Sequence, residues 1–153
     1  MDKKEAHTYS LNQIKALVEA EKNTVAKFAN VAAVLKENQQ YWWIGFYFVG
    51  GDELILGPFQ GPVACTRIGY NKGVCGTSWA EKKMINVPDV HEFPGHIACS
   101  AISKSELVVP ILKNGEIIAI LDADSELENN FDESDERFFS EIAKILSESH
   151  VSA

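Results

Sequence analysis

Apolar residues Leu11, Ile14, Leu17 and Val18, then Val25, Phe28, Ala32 and Leu35, recur at the spacing of one helix face. Ser10 followed by Gln13 has the form of a capping box, so the pattern predicts a long N-terminal amphipathic stretch, bent near Asn23. The period then changes. Residues 42–49 are aromatic and β-branched, Gly50, Gly51 and Asp52 make a turn, and residues 53–59 read as the second strand of a hairpin. A third strand is expected over 63–68, and Gly73 opens a short helix over 74–82. A short strand over 84–87 is stopped by Pro88.

Residues 89–105 have no periodic pattern and carry Pro94, Gly95, His91, His96 and Cys99. A loop of that length in a compact domain is usually functional or disordered. Two apolar strands, 106–112 and 116–124, flank an Asn114, Gly115 turn, the strongest hairpin signal in the chain. Asp132 then caps a helix whose apolar face is Phe138, Ile142, Ile145 and Leu146. Antiparallel strands with helices beside them predict an α+β sandwich in a single domain spanning residues 1–153.

Composition narrows the function classes. Fourteen Lys and Arg against 22 Asp and Glu give a net charge of −8, which disfavours nucleic acid and anionic lipid as partners. No apolar run approaches the ~20 residues of a membrane span. The polar N-terminus lacks the apolar core of a secretory signal, so a cytoplasmic location is expected. Three cysteines are an odd number, which excludes a fully paired disulfide framework and leaves inert core thiols, a metal site or a redox set.

Candidate chemistry concentrates in four places. Asp122 and Asp124, two apart on a strand, share a face with Ile118 and Ile120, and burying both acids is costly unless they are paired; alternatively the strand has ended and both reach water. Glu106 opens the partner strand. With a three-residue loop it faces Asp122, and with a two-residue loop it faces Ala123. If three carboxylates converge, repulsion raises at least one pKa enough to make a proton donor, and the cluster suits an ammonium group. Cys75, at the start of the short helix, is the best nucleophile on local grounds because a helix N-terminus lowers a thiol pKa. Trp43 and Tyr47 share a strand face on either side of Gly45, forming an apolar wall with a polar tip, with Gly45 leaving room against it. Zinc is disfavoured: His91, His96, Cys65, Cys75 and Cys99 contain no Cys-x-x-Cys pair, and the histidines read as loop residues. No metal and no cofactor is expected.

These segments closely resemble the free methionine-(R)-sulfoxide reductase family. The resemblance rests on Trp43 to Tyr47, Leu56 to Gly61, Ala64 and Cys65, Gly73 to Thr77, Gly95 to Cys99, Ser105 and Glu106, and Leu121 to Ser125, in order over about residues 10 to 148. It implies a GAF fold with a closed pocket over the sheet, and free L-methionine (R)-S-oxide as the substrate. It implies Cys99 as nucleophile, Cys65 as resolving thiol and Cys75 as a third thiol, a second resolving or relay group, which overrules the local preference for Cys75. It also implies Glu106, Asp122 and Asp124 as the acidic pocket, Trp43 and Tyr47 as its wall, thioredoxin as reductant and a homodimer. Three ionised carboxylates would disfavour a Cys99 thiolate, so the substrate ammonium is expected to neutralise part of the cluster while one acid, assigned to Glu106, stays protonated to activate the oxygen. The rivals are a GAF ligand-binding or thiol redox-sensing module without turnover, and a dimerisation domain built on the long N-terminal helix.

Overall fold

The computed structural model describes residues 1–96 and 102–149. Two helices, not one bent one, open the chain: α1 (Lys3–Ala20) and α2 (Thr24–Gln39). The break falls at Asn23, as the pattern predicts, because its side chain accepts from the Ala26 N–H at 3.0 Å and starts a new helix. The first helix starts earlier than expected. Asp2 caps it, accepting from Glu5 N–H, while Ser10 lies buried in mid-helix. Ser10 Oγ instead accepts from Asn38 Nδ2 at 3.0 Å and Gln39 Nε2 at 3.1 Å, tying α1 to the end of α2.

The strands are β1 (Trp43–Gly50), β2 (Glu53–Gln60), β3 (Arg67–Gly69), β4 (Ile85–Val87), β5 (Ser105–Lys113) and β6 (Glu116–Ser125), with α3 (Gly73–Glu81) between β3 and β4 and α4 (Glu133–Glu148) at the end. They form one antiparallel sheet in the order β3-β2-β1-β6-β5-β4. The third strand is shorter than the sequence predicts. Gly61 has φ +138° and Pro62 has no N–H to give to a ladder, so 61–66 runs as a loop.

Alternation along the strands sorts the core onto the two faces of this sheet. Ile44 and Phe46 of β1, Leu107, Val109 and Ile111 of β5, and Ala119, Leu121 and Ala123 of β6 face α1, α2 and α4. Trp43 and Tyr47, Val108, and Ile120 face the opposite way, under α3 and the loops. α4 is fixed by a full capping box: Asp132 accepts from Asp135 N–H, and Asp135 accepts from Asp132 N–H at 2.9 Å.

Candidate active site

The register of β5 against β6 decides where the acids go, and neither loop length foreseen in the sequence gives it. At the tip, Lys113 pairs with Glu116 and Leu112 with Ile117, which is the two-residue register; from Ile111 opposite Ala119 onward the pairing is shifted by one. Ile118 is the surplus residue, a β-bulge that turns it toward the helix side. Glu106 therefore pairs with Asp124, not with Asp122 or Ala123, and Asp122 pairs with Val108. Residues opposite one another, or two apart on one strand, share a face, so all three carboxyls converge. Ile118 does not share that face as expected, whereas Ile120 does.

On the same face, β1 sets Trp43 opposite Asp124, Gly45 opposite Asp122 and Tyr47 opposite Ile120. Phe59, Trp43 and Tyr47 stack in sequence, with centroids 5.3 and 6.1 Å apart. Gly45 makes room for this stack more than for a ligand, since a Cβ there would lie 2.7 Å from Trp43 and 2.9 Å from the Phe59 Cα. The polar tips of the wall are also committed. Trp43 Nε1 donates to the Pro62 carbonyl at 3.0 Å, and the Tyr47 hydroxyl donates to the Cys65 carbonyl at 2.8 Å. Both hold the 61–66 loop, and with it the half-buried Cys65, against the sheet.

The resulting cavity is small, about 70 Å³, and opens to solvent. Trp43, Tyr47 and Trp42 line it as the aromatic wall, and Glu106, Asp122, Asp124 and Ser103 as the polar floor. Val63 and Ala64 come from the Cys65 loop, Lys72 to Cys75 from the start of α3, and His96 from the loop after β4. Glu106 is 7% exposed and Asp122 is 5% exposed, while Asp124 is half-buried and takes a long hydrogen bond, 3.4 Å, from Ser103 Oγ. Asp122 Oδ1 is buried with no hydrogen-bond partner among the described residues.

Burial, acting with the neighbouring carboxyls, moves every acid in this cluster the same way. Desolvation and the adjacent Asp124 push Asp122 up to about 8. Desolvation and Asp122 hold Glu106 well above the usual carboxyl range, and desolvation and Glu106 do the same for Asp124. At neutral pH the empty cluster thus keeps protons instead of presenting three charges.

Cys75 overturns the local reading of a helix-activated thiolate. It is a free thiol, only 3% exposed, and burial together with Asp122 pushes its pKa well up, so desolvation outweighs the helix N-terminus. Its Sγ, Glu106 and Asp122 bring their ligand atoms within 4.8 Å of one another. Cys65 is disulfide-bonded. Cys99 lies outside the described residues. His91 and His96 sit ring to ring at 6.3 Å, and only His96 lines the cavity. Sequence reasoning passed over Ser103 and Lys72, since a lone polar residue beside a strand or helix start carries no periodic or motif signal.

The comparisons with known proteins agree with this geometry. The family model described as "GAF domain" matches residues 21–148. GAF domain-containing protein A of Dictyostelium discoideum is 52% identical over 145 residues, covering 94% of this chain and 92% of that protein. The free methionine-R-sulfoxide reductase of Escherichia coli (strain K12) is 42% identical over 138 residues, covering 90% and 84% respectively. The X-ray structure of the Neisseria meningitidis free methionine-R-sulfoxide reductase in complex with its substrate superposes with a TM-score of 0.95 at 49% identity, covering 98% of this chain and 91% of that one. With the matching sheet, helices and pocket, the chain belongs to the GAF-domain family, in company with the free methionine-R-sulfoxide reductases.

Proposed function

We propose that the protein reduces free L-methionine (R)-S-oxide to L-methionine. The observation that carries this reading is the cluster of Glu106, Asp122 and Asp124, protonated when empty and facing an aromatic wall, with one Asp122 oxygen unmatched. Such a site can hold an ammonium and donate a proton to a sulfoxide oxygen, two tasks a passive apolar pocket cannot perform. The substrate complex of the Neisseria relative and the name of the Escherichia coli one support the same substrate.

In the proposed cycle the Cys99 thiolate attacks the sulfoxide sulfur while Glu106 protonates the oxygen. The sulfur–oxygen bond breaks, methionine leaves, and oxygen remains on Cys99 as a sulfenic acid. The Cys65 thiol displaces that oxygen as water and closes a disulfide, which a dithiol protein of the thioredoxin type then reduces. Support for Cys65 as the resolving thiol comes from its bonded state beside a free Cys75. Cys75, sealed against Asp122, is the thiol left over, and the assignment extends to a homodimer working in the cytoplasm.

Incubating the reduced protein with racemic free methionine sulfoxide and counting thiols tests this. Two thiols are lost and only the R epimer is consumed if the reading holds; no thiol loss leaves a binding or sensing module instead. Cys65→Ser should release about one methionine per chain and recycle poorly, whereas Cys99→Ser should release none. A stall in Cys75→Ser but not in Cys65→Ser would reassign the resolving thiol.

A further inference from the structure

We propose that Cys75, Glu106 and Asp122 form a binding site for a thiophilic divalent cation, with Zn²⁺ as its occupant, and that the ion competes there with the substrate. Coordination of the ion is independent of the reading of the cavity as a methionine sulfoxide site; the competition rests on that reading.

The proposed cycle leaves one buried nucleophile without a task. Cys75 is the free cysteine among the described residues, is 3% exposed and lines the cavity. Its Sγ and one oxygen each of Glu106 and Asp122 all lie within 4.8 Å of one another, the one set of three His, Cys, Asp or Glu ligands so placed among the described residues. Each donor comes from a different element: Cys75 from α3, Glu106 from β5 and Asp122 from β6. Such a set has no local spacing, so the absence of a Cys-x-x-Cys pair says nothing about it.

An independent observation points to a cation. Asp122 is 5% exposed, and its Oδ1 is buried with no hydrogen-bond partner among the described residues. A buried acceptor without a partner is costly, and a positively charged ligand relieves that cost. A substrate ammonium would do so too, but it has little use for a thiol, which is a weak acceptor. A thiolate beside two carboxylates is instead a donor set for a borderline-soft metal. Zinc bonds of about 2.3 Å to sulfur and about 2.1 Å to oxygen are reached by small rotations of these side chains. The thiol and the two carboxyls release the protons they carry to solvent as the three bonds form. All three residues line a cavity that opens to solvent, which gives the ion its route in and leaves a fourth position for water. An ion held there takes up the Asp122 acceptor and the Glu106 proton site together, the two groups the proposed reaction needs.

The test uses the full chain in its disulfide form, verified by a count of one thiol per chain, so that Cys65 is out of play and no turnover occurs. Calorimetric titration with Zn²⁺ should show one ion bound per chain, and Cd²⁺ should add a sulfur-to-metal charge-transfer absorption. Cys75→Ser and Asp122→Asn, each checked for folding by circular dichroism, should weaken Zn²⁺ binding by about 100-fold or more, since even the outer partners of metal ligands are worth about 10- to 100-fold. Mg²⁺, which prefers oxygen ligands and water, should bind at least about 100-fold more weakly than Zn²⁺. A Zn²⁺ affinity within about 3-fold of the parent in either folded variant, against that ligand-loss expectation, overturns the site. So does Mg²⁺ binding as tight as that of Zn²⁺. Racemic free methionine sulfoxide should weaken Zn²⁺ binding in proportion to its concentration. Zinc binding that depends on Cys75 and Asp122 but ignores saturating methionine sulfoxide keeps the metal site and overturns the reading of the cavity as the substrate site.

Discussion

At the scale of single residues, the site is governed by carboxyls whose charge is suppressed by where they sit. Desolvation and Asp122 hold the Glu106 carboxyl well above the usual carboxyl range, which suits it to the proton-donating role proposed for it. Glu106→Gln keeps the shape and removes the transferable proton. Single-turnover methionine release should slow at least about 100-fold with a much smaller change in substrate affinity, in line with general acid catalysis; an unchanged rate would take the role from Glu106. The Asp122 carboxyl adds a stability consequence. Its folded pKa is raised to about 8, so between about pH 4 and pH 8 the folded state holds a proton that the unfolded chain has released. Its contribution therefore disfavours folding increasingly as pH rises through that window. Asp122→Asn removes the penalty, and its Tm relative to the parent should rise by about 3 °C or more between pH 5 and pH 8. A Tm difference independent of pH would show that Asp122 is ionised in the empty site. The sequence showed that three acids could meet and that this would raise a pKa. It misjudged Cys75, because burial of a thiol at a helix start depends on what the sheet places beneath it.

At the scale of elements, most boundaries follow from periodicity and turn chemistry, and the departures have local causes. Asn23, the Asn114 and Gly115 turn, and Asp132 act as the sequence suggests. Ser10 does not act as a cap, because Asp2 starts the helix a turn or more earlier and the Ser10 hydroxyl finds partners on α2. The β6 bulge was not legible. Ile117, Ile118, Ala119, Ile120 and Leu121 are all apolar, and both sheet faces are covered, so alternation cannot identify the surplus residue. Deleting a residue from a strand ordinarily flips every later side chain to the other face. Deleting Ile118 should not, since it removes the bulge and leaves Glu106 opposite Asp124. The deletion variant should fold with a Tm lower by several degrees, from lost packing of one half-buried side chain, and should still bind methionine sulfoxide. Loss of binding in a folded deletion variant would mean that another residue sets the register.

Across the whole molecule the sheet divides labour: helices α1, α2 and α4 bury one face, and the other face carries the cavity under α3 and the loops. The division fits an acidic chain in which a few carboxyls line the cavity and others are structural. Asp135 is the clearest structural one. It is 2% exposed, accepts from Lys3 Nζ at 2.5 Å and from Asp132 N–H, and lies 3.3 Å from His7 Nε2, while the His7 ring stacks on Phe138 at 4.1 Å. One side chain thus caps α4 and fastens α1 to it. Asp135→Ala breaks the capping box, leaves Lys3 with Asp132 alone as acceptor and removes the carboxylate beside His7, which should cost roughly 2–3 kcal/mol and lower Tm by about 5–10 °C. Because these contacts lie on the helix side of the sheet, kcat and KM per folded molecule should stay within about twofold of the parent. A larger fall in kcat/KM, measured where the variant is fully folded, would show that the two faces are mechanically coupled and that the helix layer helps to set the spacing of the acids.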